Sequence, residues 1–159
     1  MAKPLLFMLL ICSSCLILKY QAQKIWLFSK TQYAGNAPVD RDGKALKSYT
    51  ETLSCFMEVS KNKPSPAWQT AWYKGVKYSV NVLQVNQDSV IIGRSKNSKN
   101  IVVIKPGIET KLIQLEFTEQ GNFKAPKVAG FILEGTLDKK QVHLTSNESA
   151  VELAPVLMQ

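Results

Sequence analysis

The sequence predicts an all-β fold, a mostly antiparallel sandwich or open barrel of roughly seven to nine strands, with one short helix near 66–74. Three observations carry that expectation. Apolar residues recur with a period of two along much of the chain. Other short runs are apolar throughout, and turn-forming residues punctuate both at the spacing of sandwiches and barrels. With 45% hydrophobic and 20% charged residues, the composition is that of a globular chain rather than a disordered one.

The first 22 residues read as a signal peptide rather than as part of the fold. Lys3 gives a positive start, Leu5–Ile11 is an unbroken apolar run, and Leu16-Ile17-Leu18 extends it beyond Cys12-Ser13-Ser14-Cys15. Ala22 is the small residue before the expected cut. The stretch 23–159 is then a single β-rich domain of 137 residues, large enough to bury about two-thirds of its unfolded surface. Export makes the expected location extracytoplasmic: periplasmic, cell-surface or secreted. A lipoprotein cut before Cys15 fits less well, because Leu16-Ile17-Leu18 would follow the anchor where a polar tether belongs. No later run approaches the roughly 20 apolar residues of a membrane-spanning helix, so no transmembrane segment is expected in the mature chain.

Ile25–Phe28 reads as the opening strand. Leu53, Cys55, Met57 and Val59 alternate with polar neighbours, Phe56 being the exception. A loop follows at 61–66, where Ser65 and Pro66 form an N-cap and first-turn pair. Ala67, Trp68, Ala71 and Trp72 then share a helical face, and Gly75 suits a left-handed helix end. Val76, Tyr78, Val80 and Val82 alternate as a strand, and the phase slip at Leu83 predicts a β-bulge near Val82–Leu83. Val90-Ile91-Ile92, Ile101–Ile104 and Val128–Leu133 read as central strands covered on both sides. Ile113, Leu115 and Phe117 make another half-buried strand. Val142 with Leu144, then Val151 with Leu153, supply two closing strands. Turns are signalled at Asp42-Gly43, Asn86-Gln87-Asp88, Pro106-Gly107, Gln120-Gly121-Asn122 and Asp138-Lys139-Lys140.

Cleavage after Ala22 would remove Lys3 and Lys19, leaving 18 of the 20 basic residues against 12 acidic ones. Only Arg41 and Arg94 are arginines. A lysine-dominated balance suits solubility and loose attraction to anionic surfaces rather than specific nucleic-acid recognition. Cys55 would be the one cysteine left, which excludes an intrachain disulfide framework.

Catalytic chemistry is thinly provided. His143, the single histidine, falls on the polar face of its strand, whereas Cys55 points with Leu53 and Met57, so a nucleophilic pair is disfavoured. No Gly-x-Ser-x-Gly elbow and no glycine-rich phosphate loop occurs. One histidine and one apolar-face cysteine fall short of a zinc site, and Asp40-Arg41-Asp42-Gly43 lacks the oxygen ligands of a calcium loop. No metal or cofactor is expected. Glu51, Glu58, Glu116 and Glu134 lie in strand-like segments and keep a carboxylate hydrolase open as a reading. The loop 93–100 carries Arg94, Lys96 and Lys99, a solubilising hairpin tip or an anion-attracting one.

The remaining chemical asset is the aromatic set Trp68, Trp72 and Tyr73, flanked by Lys74 and Lys77. Exposed indoles would form a platform for sugar rings or another ligand; indoles packed inward would form a plug between helix and sheet. The function expected is therefore a non-catalytic binding module for a polymer (a glycan or anionic surface) or a partner protein. Its ligand-binding residues would be Trp68, Trp72, Tyr73, Lys74 and Lys77. Two alternatives come from other classes: a structural component of an envelope or surface assembly, joined by strand addition, and a small carboxylate-dependent hydrolase.

Overall fold

The computed structural model describes residues 18–20, 22, 24–33, 39–44, 49–121, 123 and 130–157. Most of the expected leader, including Cys12 and Cys15, lies outside them, as does Val128. The described chain is all-β, without a helix. Its strands are β1 (Leu18–Lys19), β2 (Lys24–Tyr33), β3 (Tyr49–Ser60), β4 (Ala67–Tyr73), β5 (Val76–Gln84) and β6 (Val90–Arg94). Then follow β7 (Ile101–Ile104), β8 (Thr110–Glu119), β9 (Phe131–Leu137), β10 (Lys140–Ser146) and β11 (Val151–Leu157).

One large sheet runs in the order β1-β10-β9-β4-β5-β8-β3-β2-β11 and curls into a half-barrel. Its internal pairs are antiparallel, and only the two outermost, β1 on β10 and β11 on β2, are parallel. Strands β6 and β7 form a separate antiparallel ribbon. The mostly antiparallel open architecture is the one the period-two pattern predicts.

The alternation in β3 explains how the layers stack. Leu53, Cys55, Met57 and Val59 face the concave side, where they join Leu27, Ala71, Ile113, Leu115, Phe131, Leu133, Val142 and Leu144. Phe56, the residue that breaks the pattern, faces the convex side and meets Phe28 edge-on at 6.2 Å. There Leu112, Ile104 and Leu153 complete a second core beneath the β6–β7 ribbon. Neither phenylalanine is misplaced; the strand is buried on both faces.

Three expectations are corrected. The segment 66–74 is not a helix but strand β4, preceded by the buried Pro66. The register between β4 and β9 shifts between Trp68 and Thr70, leaving Gln69 as the extra residue. That bulge puts Trp68, Ala71 and Tyr73 on the same core, at spacings of three and two, and so imitates helical periodicity. No bulge occurs at Val82–Leu83, where β5 stays in continuous register with β8 through Val82↔Leu115 and Leu83↔Gln114. The apolar phase changes because Val80 and Val82 belong to the concave core and Val85, beyond the strand, to the convex one. Finally, the β6–β7 ribbon is covered on one side only. Val90, Ile92, Val102 and Ile104 turn inward, and Ile91, Ile101 and Val103 turn to solvent. The β9 run does have both faces covered, with Phe131 and Leu133 in the concave core and Ile132 buried on the other side.

Residues just before the expected cut also lie against the body. Leu18 and Lys19 pair with Val142 and His143, and the Tyr20 amide donates to the His143 carbonyl at 2.8 Å. The Tyr20 ring meets Trp68 edge-on at 5.4 Å. A chain beginning at Gln23 would lack this cover over Trp68 and over the β10 edge.

The bulge in β4 requires a close approach by β9. Gly135 lies opposite Trp68, and a Cβ there would sit 2.4 Å from the Ala67 carbonyl oxygen and 3.0 Å from the Trp68 Cα. Both neighbours are backbone atoms that cannot swing aside. Gly135→Ala is therefore expected to lower stability by about 1–3 kcal/mol, the usual range for forced overpacking, as read by denaturant unfolding.

Candidate functional site: a tyrosine-lined cleft

The turn between β4 and β5 builds one wall of the cleft. Tyr73 pairs with Val76, so Lys74 and Gly75 alone make the loop, with φ of 48° and 82°. Two successive positive φ values are those of a type I′ turn, whose twist matches that of the strands. Gly75 thus uses the left-handed freedom noted in the sequence, but in a hairpin rather than a helix end. Exposed Lys74 is left at the rim, its Nζ 5.2 Å from the centre of the Tyr73 ring.

Opposite that turn, β3 contributes Tyr49 and Glu51, and the end of β8 contributes Glu119. With Tyr73, Lys74 and Tyr78 they line an open cleft of about 470 Å³. A second hollow of about 260 Å³ shares Glu51 and Lys74 and extends to Tyr33, Lys96 and Glu152. Tyr33 and Tyr49 are cross-strand partners whose exposed rings lie 6.2 Å apart, tilted by 53°. The two hollows together form an aromatic and charged surface at one end of the half-barrel.

Tyr78 and Tyr73 are the anchored members. The Tyr78 ring meets Phe117 edge-on, and Phe117 meets Phe131 in the same way, each at 5.9 Å. The buried Tyr73 ring projects its hydroxyl to accept from the Ala150 amide at 3.3 Å. Burial raises the Tyr78 phenol above its ordinary pKa, and the negative charges of Glu119 and Glu51, then Tyr73, raise it further. Both carboxylates therefore act on one hydroxyl.

The aromatic set singled out in the sequence is divided among three places. Trp68 is 3% exposed in the concave core, and its Nε1 has no hydrogen-bond partner among the described residues. It serves as apolar bulk. Trp72 points to the opposite face of β4, donating its Nε1 to Glu134 at 3.3 Å. Lys77 accompanies it there, with Nζ 5.7 Å from the Trp72 ring and 4.8 Å from the Phe123 ring. Only Tyr73 and Lys74 reach the cleft. Tyr33, Tyr49, Tyr78 and Glu119 escape the sequence reading, the first two because their pairing is made across a long connection, Tyr78 because it passes as one more apolar strand residue.

The other candidates are engaged elsewhere. Glu58 accepts from the Gly107 amide at 2.7 Å and from the Thr110 hydroxyl, closing the loop before β8. Glu116 is exposed on β8. Asp40 accepts from the backbone amides of Asp42 and Lys44, at 3.0 and 2.8 Å, and so holds its own turn. Cys55 is fully buried, and desolvation pushes its thiol far above the ordinary value. Four strands separate β3 from β10, which carries His143. Among the described residues no three His, Cys, Asp or Glu side chains gather as a metal-holding group.

Compared with protein-family models, curated proteins and solved structures, the chain matches none of them.

Two outcomes test these assignments. Trp68→Ala is expected to cost about 3–5 kcal/mol of stability, measured by denaturant unfolding, because it empties a core site. In an alkaline absorbance titration, Tyr78 is expected to ionise above its ordinary pKa of 10.0, and Glu119→Gln to bring it down. With its folded pKa raised, the Tyr78 contribution is intact below pH 10.0 and is lost as pH climbs through the folded value.

Proposed function

We propose that this protein is a non-catalytic binding module for a glycan polymer, with the tyrosine-lined cleft as its binding surface. The observation that carries the reading is the convergence of Tyr49, Tyr73 and Tyr78 with Glu51, Glu119 and Lys74 around one open hollow. Sugar rings present apolar C–H faces and a fringe of hydroxyls. Tyrosine supplies a flat apolar face with a polar tip, and carboxylates and an ammonium supply acceptors and donors for the hydroxyls. Two carboxylates in the cleft weigh against a polyanion at that surface and favour a neutral or amino-bearing sugar.

In this reading Tyr73 and Lys74 keep the binding role expected from the sequence, and Tyr33, Tyr49, Tyr78, Glu51 and Glu119 join them. Trp68 has a structural role, while Trp72 and Lys77 belong to a separate face. Glu51 and Glu119 also give the hydrolase alternative its one concrete location, since both act on the Tyr78 hydroxyl. A glycosidase needs two carboxyls flanking the scissile bond, one as acid and one as base or nucleophile.

The test is calorimetric titration with neutral, amino and acidic oligosaccharides. Tyr49→Ala is expected to weaken binding of the preferred sugar at least ten-fold in a protein that still unfolds cooperatively, and Lys77→Ala to leave binding unchanged. Equal binding by parent and Tyr49→Ala would sink the cleft assignment. Turnover of the bound sugar, lost in Glu51→Gln while binding persists, would replace the module with the hydrolase.

A further inference from the structure

The β6–β7 ribbon leaves one face without cover. Ile91 and Val103 are direct partners on it, and Arg94 pairs with Ile101 beside them. The three aliphatic side chains are 73%, 46% and 62% exposed for Ile91, Val103 and Ile101. Lys105, exposed, continues the outward phase of Ile101 and Val103. The face is thus an apolar centre with a cation at each end, about 14 Å apart along β7 at the usual rise per residue.

An exposed apolar ribbon invites association and is kept where a partner covers it. Charge decides which partner. The one ion pair among the described residues is Lys96 with Glu152, at 2.7 Å, so neither Arg94 nor Lys105 is paired with a carboxylate there. A second copy of the chain would bring the same cations against them. An anionic lipid surface is complementary instead: aliphatic side chains enter the boundary of the acyl region, and long basic side chains reach back to the phosphate oxygens. The buried side of the ribbon supplies rigidity, because Val90, Ile92, Val102 and Ile104 fix it on Phe28 and Phe56.

We infer that the outward face of the β6–β7 ribbon, Ile91, Ile101 and Val103 between Arg94 and Lys105, docks the protein on an anionic lipid bilayer. This surface is separate from the tyrosine cleft, so the inference stands whatever the cleft binds.

The experiment uses full-length Ile101→Trp, which adds an indole on the face beside Arg94, and Tyr49→Trp as a control at the cleft rim. Vesicles contain brominated phosphatidylcholine with or without 30% brominated phosphatidylglycerol. Quenching of the added Ile101→Trp emission is expected with the anionic vesicles, weaker quenching with the zwitterionic ones, and none at Tyr49→Trp. Adding Arg94→Gln and Lys105→Gln is expected to weaken the quenching-derived affinity roughly thirty-fold, the effect of two cations at a negative leaflet. Absence of quenching at Ile101→Trp, or equal quenching with both vesicle types, overturns the proposal. So does light scattering that detects a dimer of the unmodified chain abolished by Ile101→Ser, which would assign the face to a second copy.

Discussion

Every other feature of this molecule depends on covering both faces of β2, β3 and β8. These strands carry apolar side chains alternately inward and outward, Leu27, Cys55 and Ile113 against Phe28, Phe56 and Leu112. A flat sheet would leave one set in water. Curling brings β4, β9 and β10 over the first set, and the β6–β7 ribbon closes over the second. Because burial of apolar area dominates folding, neither cover can be dispensed with. Gly135 lets β9 approach the backbone of Ala67 and Trp68 so closely that a single methyl group would not fit there.

The cleft follows from the same curl. Where β3, β5 and β8 run out beyond the core, their end residues line a hollow instead of a plug, and the β4–β5 turn closes it with Lys74. The aromatic residues divide accordingly. Trp68 and Phe131 fill the interior, Tyr73 and Tyr78 straddle its boundary with their rings inside and hydroxyls at the edge, and Tyr33 and Tyr49 lie outside. Tyrosine suits the boundary because it has an apolar body and a polar tip. Burial, with the carboxylates at the same boundary, moves Tyr78 ionisation still higher than that of an ordinary phenol.

Some of this architecture was legible in the residues. Alternation along 53–59, 76–82 and 113–117 marks strands because a pleated chain turns successive side chains to opposite sides. Asp138-Lys139 does form a tight turn, with φ of 49° and 63°. The segment 66–74 misled because a single bulge adds one residue to a period of two, and the resulting spacing of three is also that of a helix. Nothing local distinguishes the two. The distinction lies in β9, where Gly135 admits the bulge. Of the candidate site, Tyr73 and Lys74 at the β4–β5 turn and the strand carboxylate Glu51 were legible in the sequence. Tyr78 lies just across the hairpin but passes as an ordinary strand residue, and Tyr33, Tyr49 and Glu119 come from strands distant in the chain.

What the sequence alone determines is the class of fold, turns such as Asp42-Gly43 and Asp138-Lys139, and the scarcity of catalytic residue types, since periodicity, turn chemistry and composition are properties of neighbouring residues. Which faces are covered, which aromatic rings reach water, and which charges meet in one hollow were decided by the tertiary structure. Strand order and curl bring together residues that share no local pattern, and an indole reads the same in a sequence whether it lies in a core or on a surface.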